Sequence, residues 1–256
     1  MPPRSKTGRN DLLTDQQLDQ FRSTGHLTIP SFFSADEIDG ALADIESWSR
    51  EFLATLTPAD HRWYAEQHPG KALVLRKLDN PVYHRDLFQQ LARKPALVEI
   101  VEQIIGAGVS VFFSQVFMKP PEVGGPKPVH QDNHYFGPDD LDATLTVWIA
   151  LDRATTENGC LYYSDVHQQQ LLPHAAPTAE PFNLQISPEV ADNINMVAAP
   201  VPRGGISLHH GNTLHQSSSN RSKHPRRAAA FHYLRNTAAL VQPALDYDPG
   251  MTVRVS

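Results

Sequence analysis

The segment PVHQDNHYFG, residues 128–137, sets an imidazole, a carboxylate and an imidazole at alternate positions: His130, Asp132 and His134. In an extended chain successive side chains point to opposite faces, so His130 and Asp132 would share a face and could hold one ion. An H-x-D pair is common by chance, and a third ligand from another strand is needed to make a site of it. The segment GGISLHHGNTLHQSSSNRSKHPRRAAAFHYL offers His209, His210, His215 and His232, together with Arg226. A hairpin closing about Asn220 and Arg221 would set His215 opposite Arg226, whereas a longer loop would shift that register.

Two histidines and one carboxylate make the facial triad that holds non-haem Fe(II) and leaves three positions open. Those positions suit O2 and a chelating 2-oxo acid, whose far carboxylate calls for the planar fork of an arginine. His130, Asp132, His215 and Arg226 meet all of these requirements. His209 and His210 are the alternatives for the distal ligand, with the spacing to Arg226 favouring His215. His134 is expected behind the triad or against substrate, the alternative being a surface histidine. Asn133, Tyr135 and Phe136 would line the substrate mouth, or else pack a strand end against a lid. His232 reads as a satisfied core or pocket histidine, and Cys160 as a small buried residue.

The chain that must position these groups has 256 residues, 40% of them hydrophobic and 20% charged, which suits an ordinary globule able to bury a core. A net charge of −6 argues against a nucleic-acid or membrane partner. One cysteine excludes an internal disulfide framework and fits a reducing cytoplasm. MPPRSKTGRN is basic without a following apolar run, so a loose arm is expected rather than a secretion signal.

Thr14 with Gln17 and Ser34 with Glu37 are capping boxes opening two helices, the first stopped by Gly25. LTIP reads as a strand between them, ALVLRKL as another, and residues 54–71 as a long loop or lid. DLFQQLARKPALVEIVEQIIG gives two helices broken at Pro95. From residue 109 onward VSVFFSQVFMK, LTVWIAL, CLYYSDV, ISLHH and RRAAAFHYL are β-rich runs between turn clusters. Helices first and strands later predict an α+β domain: a double-stranded β-helix, or jelly roll, with N-terminal helices packed outside. One domain over 1–256 is expected, with an arm at 1–12, a mostly helical part at 13–108, the jelly-roll core at 109–236 and a tail at 237–256. Nothing in the sequence fixes the oligomeric state.

H-Q-D, Trp148 in LTVWIAL, the N-G-C turn, H-x10-R and the FRSTGHLTIPSFFSADEI pattern together resemble the phytanoyl-CoA hydroxylase-like family of Fe(II)/2-oxoglutarate dioxygenases, over about residues 18–234. The resemblance implies His130, Asp132 and His215 as iron ligands and Arg226 as the grip on 2-oxoglutarate. It also implies that Gln131, Trp148, Gln115 and Lys77 line the co-substrate pocket. Because Asp132 keeps the carboxylate that halogenating relatives lack, it implies hydroxylation or another oxidation of a small-molecule C–H bond, releasing succinate and CO2. Two rivals stand beside it: a cupin-like metal enzyme that does without 2-oxoglutarate, and a non-catalytic metal-binding jelly roll.

Overall fold

The computed structural model describes residues 12–66, 73–177 and 183–256. The N-terminal half runs α1 (Asp15–Thr24), β1 (His26–Ile29), α2 (Ala35–Thr55), α3 (His61–Tyr64), β2 (Ala65–Glu66), β3 (Val74–Leu75), β4 (Lys77–Asp79), α4 (Pro81–His84), α5 (Asp86–Ala92) and α6 (Pro95–Ile105). Both capping boxes form, and Gly25 ends α1 in the left-handed conformation that glycine adopts without strain. Pro95 opens α6 at a position where its missing N–H costs nothing. The lid expected at 54–71 is in part the end of α2, then α3 and β2; its residues 67–71, and residues 1–11 of the arm expected at 1–12, lie outside the described residues.

The second half runs β5 (Val109–Lys119), β6 (Lys127–His130), α7 (Asp132–Phe136), β7 (Thr144–Ala150), β8 (Leu161–Ser164), β9 (His174–Ala175), β10 (Gln185–Ile186), α8 (Pro188–Ala191), β11 (Met196–Ala199), β12 (Ile206–His210), β13 (His215–Ser217), β14 (Arg226–Arg235) and β15 (Val253–Arg254). Two antiparallel sheets result. The larger has the order β1-β12-β7-β14-β5-β15, with β4 also on β5; the smaller has the order β11-β8-β13-β6. This is the jelly roll the strand pattern predicts. The mostly helical part nonetheless lends β1 and β4 to the large sheet, and the C-terminal tail lends it β15.

Strand alternation splits the large sheet into two faces. Val111, Val116, Leu145, Val147, Ile149, Leu208, Ala229 and Phe231 face outward into a core completed by Ile38, Ile45, Phe88, Leu97 and Val101 of the helices. Trp148, Ala150, Ala228 and Ala230 face inward against Leu161 and Tyr163 of the small sheet. The register stacks the inward residues of the large sheet in rows. Phe113, His232, Thr146 and His209 form one row; Gln115, Ala230, Trp148 and Ser207 form the next. Arg226 beside Lys119 lies two pairs further along.

Two expectations are corrected. β13 and β14 are not a hairpin: His215 pairs with His130 and Tyr163 in the small sheet, and Arg226 pairs with Lys119 in the large one. The segment between them crosses from sheet to sheet. Asn220 pins it by donating to the carbonyls of Lys119 and His224, while its own backbone N–H donates to Gly124. Nor does the extended segment continue through His134. It ends at His130, and Asp132 opens a short helix with Gln131 at its N-cap. Gly137 closes that helix at φ 58°, where a Cβ would lie 2.1 Å from the carbonyl oxygen of Gln242.

Candidate metal centre

His130 comes from the end of β6, His215 from β13 directly opposite, and Asp132 from the first turn of α7. Among the described residues they form the one cluster of side chains able to hold a metal, with ligand atoms within 4.8 Å of one another. All three are buried. Nε2 of His130 and Nε2 of His215 each stand 3.6 Å from Asp132 Oδ1. Each of these imidazoles points Nδ1 at a backbone carbonyl two residues earlier, at 2.8 Å to Pro128 and 2.9 Å to Thr213. A neutral imidazole donating from Nδ1 presents a lone pair on Nε2, the form a metal requires. Burial lowers both pKa values, that of His215 to about 4 with His130 adding to the effect, so both rings are neutral at neutral pH.

The two oxygens of Asp132 have separate work. Oδ1 faces the histidines, while Oδ2 accepts from Thr146 Oγ1 at 2.7 Å and from His209 Nε2 at 3.1 Å. Burial opposes the charge on this carboxyl, but His215, His130 and His209 outweigh it and hold the group well below the usual carboxylate range. His209 therefore supports Asp132 and is not itself in the cluster. His210 faces outward instead, 3.2 Å from Asp142. His215, rather than either neighbour, is the distal member.

Arg226 is buried at the far end of the inward face, its guanidinium 5.6 Å from the centre of the Trp148 ring. Its Nε and Nη1 have no hydrogen-bond partner among the described residues, and burial lowers its pKa to about 10. The inward residues of β14 between it and the metal row are Ala228 and Ala230, which contribute only methyl groups. The arrangement leaves an unpaired cation at one end and a ligand set at the other, with a Trp face between. That donor set fits an iron ion chelated by a 2-oxo dicarboxylate. Two surface clefts, of about 390 Å³ by Glu37 and Lys94 and about 340 Å³ by Phe112 and Tyr247, contain none of these ligands; the chemistry lies inside the barrel.

The remaining expected residues divide. Lys77, Asp79 and Gln115 share the inward face of β4 and β5: Lys77 Nζ lies 2.9 Å from Asp79, which also accepts from Gln115 Nε2 at 2.8 Å. Gln131 has no amide group left over for a co-substrate. It donates to the carbonyls of Gln170 and Asn212 and accepts from the Leu172 N–H. Asn133 likewise spends its amide on Leu141, Asn212 and Thr144, packed so closely that a Cβ on Gly211 would fall 2.1 Å from its Oδ1. His134 stacks on His174 at 4.1 Å and lies outside the cluster of His130, Asp132 and His215. Tyr135 stands edge-on to His130 at 5.7 Å with its hydroxyl donating to the Leu184 carbonyl, and Phe136 stands 4.9 Å from His232.

Sequence reasoning missed Thr146 and Tyr163, and it weighed His209 only as a ligand and not as the support of Asp132; Tyr163 orders His209 from behind at 3.0 Å. Strand alternation on β7 and β12 was the available signal, since both Thr146 and His209 fall on the inward parity.

A phytanoyl-CoA dioxygenase family model matches residues 21–228. A probable α-ketoglutarate-dependent hypophosphite dioxygenase of Stutzerimonas stutzeri is 28% identical, covering 85% of this chain and 77% of its own. Phytanoyl-CoA dioxygenase domain-containing protein 1 of Rattus norvegicus is 27% identical, covering 90% and 93%. Among solved structures, a non-haem α-ketoglutarate-dependent carbocyclase from nogalamycin biosynthesis superposes with a TM-score of 0.73 at 22% identity, covering 97% of this chain and all of that one.

Proposed function

The chain belongs to the phytanoyl-CoA dioxygenase family of Fe(II)- and 2-oxoglutarate-dependent oxygenases, and on that premise we propose that His130, Asp132 and His215 hold the iron and Arg226 the distal carboxylate of 2-oxoglutarate. The enzyme oxidises a C–H bond of a small molecule. When bound, iron supplies the O2 chemistry that couples this oxidation to conversion of 2-oxoglutarate into succinate and CO2.

The protein's share is positional. Pro128 and Thr213 fix the histidine tautomers; Thr146 and His209 fix the carboxylate, leaving Oδ1 to the metal. Trp148 supplies a flat wall beside Arg226. Lys77 and Gln115, on the same inward face, belong to the rim of this pocket, whereas Gln131 and Asn133 hold the backbone around it. With a carboxylate as third ligand, hydroxylation is the proposed outcome.

Arg226 carries this reading: a buried guanidinium with two unpaired donors is costly unless a ligand completes it. A metal enzyme without 2-oxoglutarate would have no use for it. The acidic net charge and the single buried Cys160 suit a cytoplasmic enzyme without a nucleic-acid partner, and no helix among the described residues is long and apolar enough to cross a membrane. Anaerobic titration with Fe(II) and then 2-oxoglutarate tests the site through the visible charge-transfer band of the chelated 2-oxo acid. The band is expected in wild type and lost or weakened in Asp132→Ala and Arg226→Ala. Bound iron with no band would overturn the 2-oxoglutarate assignment.

A further inference from the structure

His232 was expected to be a satisfied histidine, and only half of it is. Its ring faces inward from β14, between its register partners Thr146 on β7 and Phe113 on β5. It stacks on Phe113 at 5.6 Å and 13° and meets Phe136 edge-on at 4.9 Å. Tyr247 closes the group, 5.1 Å from Phe113 and 6.0 Å from Phe136. Nδ1 lies 2.9 Å from Thr146 Oγ1, while Nε2 is buried and has no hydrogen-bond partner among the described residues.

The protons on this chain of groups can be placed by elimination. Asp132 Oδ2 accepts from both Thr146 Oγ1 and His209 Nε2, so the Thr146 hydroxyl spends its one proton there. Thr146 Oγ1 then has only lone pairs for His232, and Nδ1 must be the donor. The ring is buried against Phe113 and Phe136, a setting that favours the neutral imidazole with a single proton; with that proton on Nδ1, Nε2 carries none. The inward face thus holds a bare, buried acceptor one row from the Gln115–Trp148 layer, which ordinarily costs stability until a donor arrives.

We propose that Nε2 of His232 is the substrate's anchor, accepting a hydrogen bond from a hydroxyl or N–H borne on a flat or apolar group seated among Phe113, Phe136 and Tyr247. The proposal rests on the iron-site reading for placing the substrate at this end of the barrel. It names the substrate class: a neutral alcohol, phenol or N–H compound. An oxyanion presents only acceptors and would meet a lone pair.

The test uses the full chain carrying Zn(II) and 2-oxoglutarate, labelled with ¹⁵N-histidine, with long-range ¹H–¹⁵N spectra assigned by His232→Phe. Phenol and benzyl alcohol are the donor probes; toluene and ethylbenzene are their methyl isosteres. Wild type is expected to show a protonated Nδ1 and an unprotonated Nε2, a shift of Nε2 with phenol but not toluene, and about tenfold tighter binding of the donor probe. His232→Phe should erase that preference. Thr146→Val, which removes the lock without touching the ring, should let a protonated Nε2 appear and reduce the preference.

A protonated Nε2 in wild type, equal binding of phenol and toluene, or indifference to all four probes would overturn the proposal. The tautomer is also read without metal. Failure of Zn(II) and 2-oxoglutarate to bind while Nε2 stays bare would therefore count against the iron site and not against the acceptor.

Discussion

Replacing Arg226 with methionine should make the ligand-free protein more stable and the enzyme useless, a pairing that ordinary damage to a core does not produce. Methionine has similar length and no charge. In the free protein the change removes a buried cation with two donors unpaired, and replacements of this kind are neutral or favourable by about 1 to 4 kcal/mol. Against that stands the loss of the Trp148 contact, about 0.5 to 1 kcal/mol. Relief of Lys119 adds to the gain, since burial and then the neighbouring guanidinium push its ammonium down to about 6. The net expectation is a gain of about 1 to 3 kcal/mol, a rise in Tm of several degrees for a chain of this size.

With ligand the sign reverses. Two charge-assisted hydrogen bonds of about 1.5 to 3 kcal/mol each are lost, so 2-oxoglutarate affinity should fall by about 10²- to 10⁴-fold. Thermal unfolding of metal-free wild type and variant, beside calorimetric titration with 2-oxoglutarate after anaerobic loading with Fe(II), measures both halves. An Arg226→Met protein that melts lower while binding 2-oxoglutarate within a few-fold of wild type would refute the reasoning.

Gln131→Leu should strip partners from three backbone groups and cost about 3 kcal/mol or more in urea unfolding, with 2-oxoglutarate affinity of the folded protein nearly unchanged. Unchanged stability with lost affinity would return Gln131 to the co-substrate pocket. Acid should also weaken the metal-free protein. His26, His174, His209, His215 and His232 are lowered, first by burial, to about 4 from an ordinary 6.5. Between those values the unfolded chain binds more protons, so the stability held above pH 6.5 is lost as pH falls toward 4. Each ring contributes up to about 1.4 kcal/mol per pH unit. Urea midpoints measured from pH 7.5 to 4.5 check this, and a flat profile would contradict the burial of these rings.

The sequence was most legible where local chemistry decides structure. Ser34 and Glu37 cap each other whatever the rest of the fold does, and the run Val109–Lys119 is a strand with the bounds its composition suggests. His215 could be chosen over His209 and His210 because chain spacing separates them. Illegibility set in where the deciding partners are remote. The stretch after β13 has the composition of a hairpin turn, but Asn220 is held by Lys119, a hundred residues earlier, and no local pattern announces that bond. The turn into α7 was hidden because Gln131 spends its side chain on Gln170, Leu172 and Asn212 instead of capping the helix. Buried polar layers behave alike: Thr146 looked like an ordinary strand residue, and His209 like a rival ligand, until Asp132 was brought over them.

The pairing of β6 with β13 is short and slips register between His215 and Ser217, so it is a weak seam of the small sheet. On the proposed assignment the iron is a clasp across that seam. It ties two points roughly 85 residues apart, a closure for which chain entropy gives about 4 to 5 kcal/mol if the ion acts as a cross-link. A cell short of iron would then hold a chain that is looser as well as idle, open along one edge to proteases. Iron supply would govern how long the protein survives, and not merely how fast it works.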